Sequence, residues 1–372
     1  MFKNFFKKHI FFSYLLIFLV SFTIINKISK KFLHQNKLET RTLPNFVEKV
    51  YGKNNVKDYQ KVMSEQSSKL DYKPFVEFTE RPRSNIFTSV SILGNRCNKN
   101  NIPNCQPAKG GREEIWLFGG STTFGYGVKN DETISAYIEK KLNNEYRVIN
   151  FGAGYYFSTQ ERILFNNLLL ELSPPYAAIF IDGLNDLGRE YNFNETIYSN
   201  GIKSKMNKSS NDEIKDYFKE RFHRLNIVRL INQLKDKNKI KKKEKNQSNE
   251  LGNAKISQLV DVLVNNQKIN EGISEKYNIK LLNILQPVPI YIDSYSTSKV
   301  PKEFLPTEDK SFIKNVKLGY QIYLSKSENM SLNLSKLKIK EPMYIDSVHY
   351  SPEFNKIIAD TVIDKIGLKS AN

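Results

Sequence analysis

Cysteine and histidine are scarce in this chain, which carries two of the first and four of the second among 372 residues. Cys97 and Cys105 bracket a short loop containing Pro103 and several asparagines, with no histidine close by, and that makes a poor zinc site. In an oxidising compartment the pair can close a small hairpin-like disulfide; otherwise they stand as two unrelated thiols. Acidic residues are also outnumbered, 39 against 57 lysines and arginines, for a formal charge of +18. A nucleic-acid partner does not follow from that excess. The one dense basic block, Lys235 to Lys245, has no aromatic side chains for base stacking and no arginine fork. It reads as a solvated loop, with contact to anionic lipid headgroups or acidic polysaccharide as the alternative. No internal repeat is present.

Charge is missing altogether from Ile10 to Ile25, a run rich in Phe, Leu and Ile that follows Lys3, Lys7 and Lys8. With snorkelling flanks it comes just short of the ~20 residues that span a bilayer. It leads into Asn26-Lys-Ile-Ser-Lys-Lys31 without the small residues of a signal-peptidase site. We therefore expect an uncleaved transmembrane anchor over residues 1–31, touching lipid through residues 10–26, rather than a removed signal peptide or a buried helix. Lysines on both sides leave its orientation open.

Residues 32–110 read as a membrane-proximal region with a helix over 46–69, an extended stretch from Tyr72 to Glu80, and the cysteine loop. A regular pattern begins within 111–372. Strands are expected at Ile115–Phe118, Arg147–Phe151, Ala177–Ile181 and Ile279–Leu285. Helices are expected from an Asp131 cap to Leu142, from a Ser158/Glu161 capping box to Leu172, over Ile256–Tyr277 and Ser311–Ser325, and from a Ser351-Pro352 start to Ile366. Near-continuous apolar strands alternating with helices mean a parallel sheet buried on both faces. A polar, lysine-rich insertion at 188–250, with one helix over 217–234, interrupts the rhythm.

The stretch Ile115-Trp-Leu-Phe-Gly-Gly-Ser-Thr-Thr-Phe-Gly125 ends an apolar strand in two glycines and a serine. Ser121 would present its hydroxyl and N–H at the crevice where ligands bind in open α/β sheets. A serine hydroxyl needs a base and oxyanion donors. Of the histidines, His9 and His34 flank the anchor and His223 lies in the insertion, whereas His349 follows Asp346 by three residues. In a turn that spacing lets the carboxylate orient the imidazole. Gly152 and Asn185 follow the second and third strands and can supply an N–H and an amide; in isolation each reads equally well as a turn residue. Tyr126, Tyr155, Tyr156 and Phe157 either line a pocket or pack.

Four blocks in this order, Gly119-Gly-Ser-Thr122, Asn150-Phe-Gly152, Gly183-Leu-Asn-Asp186 and Asp346-Ser-Val-His349, resemble the SGNH (GDSL-type) hydrolase superfamily over roughly Glu114 to Ile366. The resemblance implies a three-layer α/β/α sandwich around a flavodoxin-like, five-stranded parallel sheet, with no metal and no organic cofactor. It assigns Ser121, His349 and Asp346 as the catalytic triad, and Ser121, Gly152 and Asn185 as the oxyanion hole. Gly120 departs from the eponymous Gly-Asp-Ser, as in membrane-anchored bacterial members. Such proteins imply a periplasmic or extracellular esterase acting on O-acyl, chiefly O-acetyl, esters of a cell-surface glycan. An O-acyltransferase with the same triad and a catalytically silent membrane-tethered module are the alternatives. Activity should rise with pH as an ordinary imidazole loses its proton, around pH ~6–7. A P-loop reading of Gly120-x4-Gly125 fails, because Tyr126 and Gly127 stand where the lysine and Ser/Thr belong.

Overall fold

The computed structural model describes residues 14, 16–18, 20–31, 48, 50–52, 59, 62, 70–98, 105–107, 113–143, 145–187, 226, 252–288, 310–327, 331–337, 344–346 and 348–368. Two units are compact, one formed by Pro44–Asn192 with Asn249–Asn372 and the other by Met1–Leu43 with Phe193–Ser248.

The larger unit holds a hairpin, β1 (Leu70–Lys73) and β2 (Glu77–Glu80), and a five-stranded sheet of β3 (Glu114–Gly119), β4 (Arg147–Asn150), β5 (Ala177–Asp182), β6 (Lys280–Leu285) and β7 (Ser331–Asn333). Its helices are α1 (Ser121–Phe124), α2 (Ile134–Lys141), α3 (Ser158–Glu171), α4 (Leu184–Leu187), α5 (Asn253–Lys276), α6 (Lys310–Lys326) and α7 (Pro352–Ile366). The sheet order is β4-β3-β5-β6-β7 with every pairing parallel. That is the doubly wound arrangement, with the order reversing beside β3, the first strand.

The alternation along the strands sets the layers. Ile115, Leu117, Ile179 and Ile181 pack with Ile138 of α2 and Ile358 and Val362 of α7. Trp116, Phe118, Ala178 and Phe180 face the other way, against Leu164, Phe165 and Leu168 of α3. Every residue of β3 and β5 is buried, as continuous apolar strands require when both faces are covered. At about 1.5–3 kcal/mol for each large aliphatic side chain removed from water, these two strands anchor the fold.

Several local expectations are corrected. The stretch Tyr72 to Glu80 is a hairpin, turned by Phe75 and Glu77, both at positive φ (65° and 78°). Asp131 does not cap α2: Asn130–Glu132 forms a 3₁₀ turn, and Thr133 Oγ1 accepts the Ala136 N–H at 3.2 Å instead. Ser158 and Glu161 form no capping box. Ser158 Oγ–H donates to Asp186 Oδ1 at 2.6 Å and its N–H to the same oxygen at 3.1 Å, so a carboxylate from a distant segment serves the start of α3. Ser351 caps α7 as expected, accepting the Phe354 N–H at 3.1 Å ahead of Pro352. Cys97 and Cys105 are joined in a disulfide.

Residues 44–110 fall within the larger unit. Within the expected 46–69 helix, residues 48, 50, 51, 59 and 62 are helical, Gly52 is not and sits at φ 79°, and the others lie outside the described residues. The same holds for His9, His34, and for the 188–250 insertion from residue 188 on, its basic block and His223 included, where Asn226 alone is described.

In the smaller unit, Tyr14 and residues 16–18 and 20–31 are helical, with Ile17, Phe18, Val20, Ile24 and Ile28 exposed. Residues 10–13, 15 and 19 of the apolar run lie outside the described residues. Among the described residues no helix is long and apolar enough to cross a membrane.

Candidate active site

Ser121 opens the single turn of α1 directly after β3, so its N–H has no intrahelical acceptor. Its Oγ lies 2.9 Å from His349 Nε2, bridging 228 residues of chain. His349 Nδ1 lies 2.7 Å from Asp346 Oδ2. The other carboxylate oxygen shapes the loop: Asp346 Oδ1 accepts the Val348 and His349 N–H groups at 2.8 and 2.7 Å. One carboxylate thus folds the turn and orients the ring. Burial alone would raise the Asp346 pKa, but the His349 charge and these hydrogen bonds outweigh it and hold the group at about 2. Tyr350 OH donates to Pro287 O at 3.0 Å, tying this loop to the end of β6.

Asn185 sits in α4, after β5. Its Nδ2 donates to Tyr156 O at 2.7 Å, which uses one amide hydrogen and fixes the direction of the second. Gly120 explains the absent aspartate. A Cβ at that position would lie 2.5 Å from Asn185 Nδ2, so the missing side chain is the space into which the amide fits.

Gly152 is brought to the site, but its N–H donates to Asn150 Oδ1 at 2.9 Å. Of the three donors expected, this one is therefore shared with a side chain, whereas among the described residues Ser121 N–H and the second Asn185 hydrogen are not so engaged. Gly152 is glycine because the α1 backbone lies against it: a Cβ would be 2.5 Å from Phe124 N. Asn150 clamps the same region, its Nδ2 donating to Thr123 O at 2.8 Å and to Ser135 Oγ at 3.1 Å.

Two buried ionic residues from the segment before the sheet support the site, and no sequence pattern marks either. Arg96 reaches under α1, Nη1 donating to Phe124 O (3.2 Å) and Gly125 O (2.7 Å), and Nη2 to Phe87 O (3.1 Å) and Val128 O (2.9 Å). Burial and the neighbouring Arg83 lower its pKa to about 9, so it stays charged at neutral pH. Glu80, wholly buried, accepts the Tyr126 hydroxyl at 2.5 Å. Of the four aromatic residues considered as pocket lining, Tyr126, Tyr156 and Phe157 are buried and Tyr155 is exposed, at φ 70°.

Behind Asn185 lies a buried carboxyl group of three: Glu161, Asp182 and Asp186. Burial first, then mutual repulsion, pushes Glu161 and Asp182 well up, and burial lifts Asp186 to about 6. Raised carboxyls stabilise the fold while protonated, and that contribution is lost as pH rises through their folded-state values. Stability should therefore decline as pH rises from the ordinary carboxyl range near 4, through about 6 for Asp186 and on to higher pH for Glu161 and Asp182, and Glu161→Gln should flatten the slope; urea unfolding from about pH 4 to about 9 measures it. Among the described residues no cluster of His, Cys, Asp and Glu could hold a metal ion.

No protein-family model and no curated protein matches the chain. Solved structures similar to it include Est24, a carbohydrate acetylesterase from Sinorhizobium meliloti, at 14% identity and a TM-score of 0.38, covering 68% of this chain and 98% of that one. An inhibitor-bound aryl esterase of M. smegmatis aligns at 11% identity and a TM-score of 0.38, over 68% of this chain and 98% of the other. An acetyl xylan esterase, AlAXEase, aligns at 14% identity and a TM-score of 0.33, over 68% and 98%. At such identities and scores the likeness assigns neither reaction nor substrate.

Proposed function

We propose that this chain is a serine esterase of the SGNH type that cleaves small O-acyl esters, in particular O-acetyl esters of a carbohydrate. The observation that carries the reading is the Ser121–His349–Asp346 relay, with contacts of 2.9 and 2.7 Å at the C-terminal end of a parallel sheet. In the mechanism, His349 Nε2 accepts the proton as Ser121 Oγ attacks the ester carbonyl, and Asp346 stabilises the imidazolium. The developing oxyanion takes hydrogen bonds from Ser121 N–H and the Asn185 amide, with the Gly152 N–H shared between it and Asn150. His349 then protonates the leaving alcohol, and water resolves the acyl-serine by the same steps in reverse.

A fluorophosphonate probe followed by peptide mapping tests the nucleophile: labelling at Ser121 is expected, and an unlabelled protein, inert towards p-nitrophenyl acetate, would sink the reading. Attachment to a bilayer through residues 10–26 is supported by the exposed apolar side chains among the described residues of that run, and the larger unit is proposed to lie outside. Flotation of the full chain with liposomes tests it, and a protein left at the bottom of the gradient counts against attachment.

Asn185→Ala should lower kcat roughly 10²–10³-fold, the usual effect of removing one oxyanion donor. Gly120→Ala separates that role from folding. Its backbone, at φ −78°, tolerates alanine; the nearest atom is the end of a side chain that can swing away, and the Tyr156 carbonyl at 3.3 Å need give by only a few tenths of an ångström. Thermal stability should hardly change while kcat falls in the same direction as in Asn185→Ala. Full activity in Gly120→Ala would remove Asn185 from the oxyanion hole.

A further inference from the structure

We propose that Glu80, at the end of the β1–β2 hairpin, is a positioning residue that fixes the two loops flanking the triad. The inference rests on the esterase reading above. Glu80 has no exposed surface, and its Oε2 pairs with Arg83 Nη2 at 3.0 Å. Its Oε1 accepts from two loops at once: the Tyr126 hydroxyl at 2.5 Å and the Gly154 N–H at 3.1 Å. A buried carboxylate is costly unless charge-paired and hydrogen-bonded, and here every partner beyond Arg83 belongs to a loop at the site.

Each loop leads to the chemistry. The Tyr126 ring lies 5.8 Å from the His349 ring and 4.8 Å from Phe124, so fixing its hydroxyl fixes a wall against the base. Gly154 precedes Tyr155 and Tyr156. The Tyr156 hydroxyl donates to Phe78 O at 2.5 Å on the same hairpin strand, and its carbonyl receives the Asn185 amide. One hairpin strand therefore sets both the imidazole side and the oxyanion side. Holding the backbone around Tyr155 in the left-handed region against its ordinary preference is consistent with loops pinned at both flanks.

The test uses the full chain and p-nitrophenyl acetate. Glu80→Ala should lower kcat about 10- to 100-fold with little change in KM, the scale of an ångström-level misplacement. The rate of fluorophosphonate labelling at Ser121 should fall in parallel. Glu80→Gln keeps an acceptor oxygen for both loops and should restore most of the rate. Tyr126→Phe removes only the hydroxyl, should lose kcat in the same direction, and should add little when combined with Glu80→Ala. Wild-type-like kcat in Tyr126→Phe and in Glu80→Ala overturns the inference, as does a loss confined to thermal stability. If Glu80→Ala does not fold, Tyr126→Phe decides alone. Wild-type protein that neither labels at Ser121 nor cleaves ester overturns the esterase reading and this inference together; active wild type with indifferent variants overturns only the latter.

Discussion

Ser121→Ala and His349→Ala should each bring ester hydrolysis down by roughly 10⁴–10⁶-fold, to the same residual level, and the double variant should be no worse. The equality is the informative part. Nucleophile and base act on one proton, so removing either leaves only binding and oxyanion donors. Two residues that merely packed would give unequal, additive losses. Asp346→Asn should also be severe, because an amide can still accept the Val348 and His349 N–H groups but cannot stabilise an imidazolium. Initial rates on p-nitrophenyl acetate, with thermal unfolding as the folding control, check all three. Acid should act in two steps. Protonating His349 stops it accepting the Ser121 proton. Asp346, held at about 2 against an ordinary 3.8, contributes stability that is fully present above about pH 4 and lost as pH falls through 2. Unequal single variants, or activity that survives His349→Ala, would end the relay.

Arg96→Ala should destabilise the larger unit by about 3–5 kcal/mol, the range for stripping a buried ion from its partners. Four backbone carbonyls, from Phe87, Phe124, Gly125 and Val128, would lose the guanidinium as a donor, while Gly125 O keeps the Val128 N–H at 3.4 Å. Each buried acceptor without a donor costs about 1–3 kcal/mol before relaxation. Arg96→Lys should recover only part, since one ammonium cannot reproduce a planar fork serving four oxygens. Arg96→Met, similar in volume but without donors, separates space-filling from hydrogen bonding: it should behave like alanine. Urea midpoints measured for the three variants decide the matter, and a loss under about 1 kcal/mol in Arg96→Ala would show that the carbonyls find other donors.

The sheet and the meeting of Ser121, His349 and Asp346 were legible in the sequence, and the reasons are physical. Strands buried on both faces must be apolar throughout, so β3 and β5 announce themselves. A hydroxyl, an imidazole and a carboxylate carry chemistry that few other arrangements use, and Asp346 and His349 meet within one turn. β7 was not legible, because three residues, Ser331–Asn333, hold no periodicity. Ser158 and Glu161 have the spacing of a capping box, but tertiary structure supplied a better acceptor in Asp186 and drew Glu161 towards the carboxyl group. Glu80 and Arg96 were invisible for a different reason. Arg96 is held by backbone carbonyls of distant loops, which leave no residue type to recognise, and the Tyr126 hydroxyl and Gly154 N–H that Glu80 accepts lie 46 and 74 positions along the chain. The Gly152 N–H was expected to serve the oxyanion outright, and the neighbouring Asn150 side chain shares it.

Ser121 and His349 stand 228 positions apart. During synthesis β3 and Ser121 are made first, and 228 further positions must be translated before His349 exists. If the two act together as proposed, a product cut short anywhere between them carries the hydroxyl without the imidazole.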